Sequence, residues 1–123
     1  MSSNYTFKNN DLELKLQENL ENISLTWSGE STEREPGIFL TPILDQVITL
    51  NEKTDKKIIM DFRQLQYMNS STVTPIIRLI DKIKKGNHEM LILYQNHLDW
   101  QEICFSALLV FTTKDHRIDI KGD

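Results

Sequence analysis

One cysteine, Cys104, is present in 123 residues, so the chain cannot close an internal disulfide. Glycine is scarce, at four residues, and no Gly-rich phosphate-binding loop or Gly-X-Ser-X-Gly nucleophile elbow occurs. The longest apolar runs, Leu91 to Tyr94 and Ala107 to Phe111, fall far short of the roughly 20 residues a membrane span needs. The start, Met1 to Thr6, is polar and lacks the apolar stretch of a signal peptide. A lone thiol without an export signal points to the cytoplasm. Basic charge is also short. Fourteen Lys and Arg against eighteen Asp and Glu leave a net charge of −4, which argues against nucleic acid as a partner. No membrane partner is expected either. The three Asn-X-Ser/Thr sequons, at Asn4, Asn22 and Asn69, are chance matches in an unsecreted chain.

What the chain does contain is regular patterning. Residues 1–10 are polar and are expected to be a flexible N-terminus, with a single domain over 11–123. Leu12, Leu14 and Leu16 alternate with polar residues, as do Ile23, Leu25 and Trp27, which predicts a β-hairpin. Ser28 to Glu35 is expected to be a polar loop. Phe39, Ile43, Val47 and Leu50 lie on one face of a helix, which opens either at Pro36-Gly37 or later, with Thr41 as N-cap and Pro42 at N1. Lys57 to Phe62 is predicted as a central strand buried on both faces. Val73, Ile76, Ile77, Ile80 and Ile83 predict a second helix that starts at Ser70–Thr72 and ends on Lys84-Lys85-Gly86, with Gly86 at C′. Met90 to Tyr94 reads as a strand. Leu98 to Phe111 reads as a third helix, with Leu98, Trp100, Cys104 and Leu108 as candidate inward residues, and Arg117 to Ile120 as a last strand. Strands alternating with helices make this an α/β sandwich, a mixed and mostly parallel sheet with helices packed on it, preceded by the hairpin.

The most informative junction is Asn69-Ser70-Ser71-Thr72, where hydroxyls stand between a strand and a helix. The first amides of a helix lack intrahelical partners and carry the positive dipole end, so such a site can hold an anion or a phosphoryl group. Asn, Ser and Thr are also simply good N-caps. Elsewhere the chemistry is sparse. His88, His97 and His116 lack metal-ligand spacing, and no metal or cofactor is expected. Cys104 sits in an apolar helical pattern, as a buried thiol would. Asp61 is an isolated carboxylate. Lys82, Lys84 and Lys85 complement a helix dipole. Trp27 and Trp100 read as packing residues.

The stretch Met60 to Val73, with Leu25 to Glu30, Gly86 to Leu93 and Trp100 to Phe111 in order around it, resembles the STAS domain of anti-sigma-factor antagonists. That resemblance implies a STAS-like fold and a regulator that is not an enzyme. An unphosphorylated antagonist binds an ATP-using Ser/Thr kinase that doubles as an anti-sigma factor. The kinase phosphorylates and releases it, and a cognate phosphatase restores it. The family's Asp-Ser-Ser-Gly motif places the phosphorylated serine at Ser71, although Asn69 stands for Asp and Thr72 for Gly. The chain is equally similar to a related single-domain group that regulates a diguanylate cyclase through an Asn-Thr-Ser-Ser motif. On that pattern the acceptor is Ser70. Both serines are retained, Ser71 first. Asn69, Thr72, Val73, Thr74 and Arg78 are the expected partner-binding residues. A non-switching scaffold subunit is the remaining reading.

Overall fold

The structure, a computed structural model, describes residues 3–123. In chain order its strands are β1 (Ser3–Asn9), β2 (Leu12–Glu18), β3 (Asn22–Ser31), β4 (Lys57–Met68), β5 (Met90–Tyr94) and β6 (Ile118–Gly122). The helices are α1 (Gly37–Thr54), α2 (Ser70–Lys85) and α3 (Asp99–Ala107), the last running into a 3-10 turn, Leu108–Phe111. All six strands form one sheet in sequential order. β1–β2 and β2–β3 pair antiparallel, and β3–β4, β4–β5 and β5–β6 pair parallel. The expected α/β architecture with its hairpin and mixed, mostly parallel sheet is therefore present.

One face of the sheet carries the core. Leu14 pairs with Trp27, Leu25 with Met60, Met60 with Ile92 and Ile92 with Ile120, and every one of these side chains is buried. Trp27, Phe62, Phe105 and Tyr94 continue this core as a chain of rings 4.8, 4.9 and 5.2 Å apart. From α1, Leu40, Ile43, Leu44 and Val47 close over it, and from α2, Ile76, Leu79, Ile80 and Ile83.

Several expectations are corrected. Of the stretch expected to be flexible, residues 3–9 form β1, held by backbone pairing and by Phe7 packing against the core edge, while Met1 and Ser2 lie outside the described residues. Ser28 to Ser31 continue β3 alongside Gln64 to Met68. The alternation is hidden there because two register shifts break its period. Gly29 sits between them at φ +85°, and a Cβ on it would lie 1.8 Å from the Asp11 carbonyl oxygen, so only glycine fits. α1 starts at Gly37, earlier than a Thr41 cap would place it, and Pro42 falls inside it. Pro42 removes only the bond to the carbonyl of Ile38, a residue open to water.

β4 runs on to Met68 and is buried on one face only, since Ile59 and Asp61 are half-buried. α2 ends as a Schellman turn, but Gly86 keeps a right-handed φ of −78° and Asn87, at φ 61°, takes the C′ place. His88 N–H bonds to the Ile83 carbonyl and Asn87 N–H to that of Lys84. In α3 the buried residues are Gln101 and Phe105, with Leu108 in the turn beyond, while Trp100 and Cys104 are half-buried. The inward register thus passes through Phe105, one residue beyond Cys104.

Candidate functional site: the head of helix α2

β4 delivers Asn69 in extended conformation, and the chain turns there into α2. The Asn69 Oδ1 accepts from the Thr72 backbone N–H at 3.1 Å, as an N-cap should. It also accepts from the Thr72 hydroxyl at 2.7 Å. With its proton so committed, Thr72 Oγ1 receives the Ser31 hydroxyl, also at 2.7 Å. The other end of the amide, Asn69 Nδ2, donates to the Glu33 carbonyl at 2.8 Å. The Asn69 backbone N–H closes the cycle on the Ser31 carbonyl at 3.0 Å. Asn10, in the β1–β2 turn, donates its side-chain amide to the Glu33 carboxylate. The end of β3, its following loop and the start of α2 are thus tied into one polar cluster.

This cluster explains both departures from the Asp-Ser-Ser-Gly motif. An aspartate at 69 would set a carboxylate oxygen against the Glu33 carbonyl with no proton between them. A glycine at 72 would leave the Ser31 hydroxyl buried without its acceptor.

The candidate residues separate by exposure. Ser70 and Ser71, the first two helical residues, are exposed, as are Thr74 and Arg78. Asn69 and Val73 are half-buried. Thr72, also expected to meet a partner, is wholly buried, and its hydroxyl is spent on Asn69 and Ser31. α2 has no acidic residue in its first turn. The Pro75 ring lacks an N–H, which leaves the Ser71 carbonyl without its intrahelical donor. The head of α2 therefore offers two accessible hydroxyls on a firm cap beside the positive end of a helix.

Sequence reasoning missed Ser31, Glu33 and Gln101. Both read as loop residues in the sequence; Ser31 instead ends β3, Glu33 does lie in the loop beyond it, and no local signal marks either as part of the cluster. Gln101 is fully buried. Its Nε2 donates to the carbonyls of Phe62 and Leu65 at 2.8 and 2.7 Å, and its Oε1 accepts from Gln95 N–H at 2.7 Å. β4 pairs with β5 only from Ile58 to Asp61, so Gln101 supplies the donors that a longer β5 would have given.

The other candidates are placed elsewhere. Asp61 faces away from the core and receives Arg63 through two guanidinium nitrogens at 3.0 and 2.8 Å. Burial raises its pKa, but the bonds to Arg63 outweigh this and hold the carboxyl below its usual range. Burial pushes the Cys104 thiol up, away from thiolate character. His88 and His116 lie beside Asp55 and Asp119 at 3.0 and 3.6 Å. No helix among the described residues is long and apolar enough to cross a membrane.

The family model for SiaC family regulatory phosphoproteins matches residues 8–101, a span that contains the whole cluster. The chain belongs to the SiaC family. The family so identified is SiaC and replaces the STAS set named from the motifs. Among solved structures, SiaC of Pseudomonas aeruginosa superposes with a TM-score of 0.57 at 14% identity, over 76% of this chain and 78% of that one. At that identity the likeness concerns the SiaC fold. No curated protein sequence matches. Membership makes this chain a regulatory phosphoprotein, and the head of α2 carries two exposed hydroxyls, of Ser70 and Ser71, beside a hydrogen-bonded cap.

Proposed function

We propose that this SiaC family member is a phosphorylation-controlled binding protein that holds its partner through the head of α2 and releases it when a serine there is phosphorylated. The observation that carries the reading is the contrast between two exposed acceptors, Ser70 and Ser71, and the hydrogen-bonded base beneath them. A phosphoryl group adds about −1.5 to −2 charges. On the free protein the helix end tolerates it. Inside an interface it must be desolvated or meet like charge. A hundredfold loss of affinity needs only about 2.7 kcal/mol.

Ser70 is the favoured acceptor. The bond from Asn69 Nδ2 to Glu33 needs an asparagine, which supports the Asn-Thr-Ser-Ser pattern in which the residue after Asn accepts the phosphate. The same pattern makes a diguanylate cyclase the regulated partner, with a Ser/Thr kinase and a phosphatase setting the phosphorylation state. The cytoplasm is the matching compartment.

The test is a pull-down from the native host with wild type, Ser70→Asp and Ser71→Asp as baits. Wild type should retain a cyclase, and Ser70→Asp should lose it by tenfold or more. Retention of a kinase that serves as an anti-sigma factor, lost with Ser71→Asp, would favour the antagonist reading. Equal retention by all three baits would make the protein a constitutive adaptor.

A further inference from the structure

The two edges of the sheet are finished differently. At β6 the backbone groups that face away from β5 are already engaged. Thr113 donates its N–H to the Ile118 carbonyl at 3.1 Å and accepts the Ile118 N–H on its hydroxyl at 3.0 Å, and the Asp119 carboxylate takes the Ile120 N–H at 3.0 Å. At β1 there is no such cover among the described residues. The strand pairs with β2 without a register shift from Ser3 to Asn9 and contains no proline. Its one charged side chain, Lys8, is held by Glu13 of β2 at 3.3 Å. Bulges, prolines and free lysines are what keep an edge strand from pairing again, and β1 has none of them.

The groups that this edge offers follow from the neighbouring pairing. The Glu30 N–H bonds to the Asp11 carbonyl, so Asp11 faces β3, and the alternate residues Leu12, Leu14 and Leu16 turn their backbone groups to β1. There they meet Asn9, Phe7 and Tyr5. The N–H and C=O groups of Asn4, Thr6 and Lys8 therefore point outward. This edge matches itself. Two copies of β1 laid antiparallel with Thr6 opposite Thr6 set Asn4 against Lys8 and bring all three outward residues into hydrogen-bonded pairs, about six bonds in all. A shift of two residues either way sets one of the three against a residue outside β1. In the Thr6-centred register Tyr5 falls opposite the second copy's Phe7, in the close non-hydrogen-bonded positions where aromatic pairs form. Tyr5 is 48% exposed and stacks on its own Phe7 at 6.5 Å, so the joint draws the rings of both copies into one row. No like charges oppose one another, since Lys8 meets Asn4.

We propose that two copies of this chain join edge to edge through β1, antiparallel about Thr6, into one sheet that runs through both. A joint of one strand per copy lies at the small end of protein interfaces, about 1,200 Å² or less, so the dimer is reversible and its share rises with concentration. β1 ends beside the polar cluster, where Asn10 donates to the Glu33 carboxylate. Antiparallel joining thus sends the two α2 heads to opposite ends of the sheet, and two partners can be held without collision.

The experiment combines sedimentation equilibrium with amide hydrogen exchange by NMR, from about 20 µM to 1 mM protein. The expected mass rises from one chain toward two across that range. The Asn4, Thr6 and Lys8 amides should slow at least tenfold, while those of Tyr5 and Phe7 are protected at both ends of it. Thr6→Lys brings like charges together at the axis, and Thr6→Pro removes the central outward N–H. Both should remain monomers with the circular dichroism spectrum unchanged. Thr6→Lys leaves every backbone group in place, so it decides the matter if Thr6→Pro disturbs β1. A monomer at every concentration, a dimer that survives Thr6→Lys, or slowing without the alternation would each overturn the proposal. So would a wild-type monomer whose edge amides slow only when protein from the host is added, which would assign the edge to another partner.

Discussion

Asn69 and Glu33 are joined by an amide-to-carbonyl hydrogen bond of 2.8 Å that ties the loop after β3 to the first residue of α2's cap. An ionised aspartate has no proton for that bond. Asn69→Asp should therefore destabilise the protein by about 1–2 kcal/mol, the lost bond being partly offset by a few tenths from the helix dipole. The urea midpoint measures it. An unchanged midpoint would show that the loop is held by other means.

The Ser31 and Thr72 hydroxyls are 2.7 Å apart and buried. Thr72→Val leaves the buried Ser31 hydroxyl unpaired and should cost about 1–3 kcal/mol, whereas Ser31→Ala leaves Thr72 Oγ1 its bond to Asn69 and should cost about 0.5–1.5 kcal/mol. Together they should cost less than the sum, by about 0.5 kcal/mol or more. Additive effects in a double-mutant cycle would mean that the two hydroxyls act independently.

Gln101 satisfies three backbone groups where β4 leaves its neighbour. Gln101→Met keeps the bulk and removes every bond, so a loss of more than about 2 kcal/mol is expected. Hydrogen exchange should accelerate at Gln95, whose N–H donates to this side chain. Unaltered protection there would place the bonding elsewhere.

Ser31, Glu33 and Gln101 show where sequence reading stops. The alternation of Leu12, Leu14 and Leu16 and the helical spacing of Ile76, Ile80 and Ile83 were legible because burial on one face repeats with the period of the backbone. The start of α2 was legible from Asn69 and the limit set by Pro75. Hidden were features that depend on distant parts of the chain: β1, whose partner is β2, and Ser31, which meets Thr72 across 41 positions. Gln101 could not be foreseen, because a polar residue in an amphipathic helix reads as solvent-facing until its strand partners are known.

Asp61 gives a pH dependence. Burial opposes its charge, yet the bonds to Arg63 hold its folded pKa below the ordinary value, so it contributes stability above the unfolded pKa of about 3.9 and loses it as pH falls through the lower folded value. Asp61→Asn should thus be less stable than wild type by about 1 kcal/mol above about pH 5, and the gap should close under acid. Unfolding curves across that range check it. A gap that is constant with pH would assign the loss to packing alone.

Pro75 takes one rung out of the first turn of α2, at the carbonyl of Ser71. On the proposed function, the same spot serves one partner as a ligand and a kinase as a substrate, and the two roles make opposed demands. A binding surface must be firm, whereas a peptide entering an enzyme's cleft must peel away from its own fold. The missing rung lowers the work of bending the backbone at Ser71, while Asn69 before it and the buried Thr72 after it stay tied down. The helix head is in this sense a short bridge, two residues held at both ends and short of one backbone bond between them.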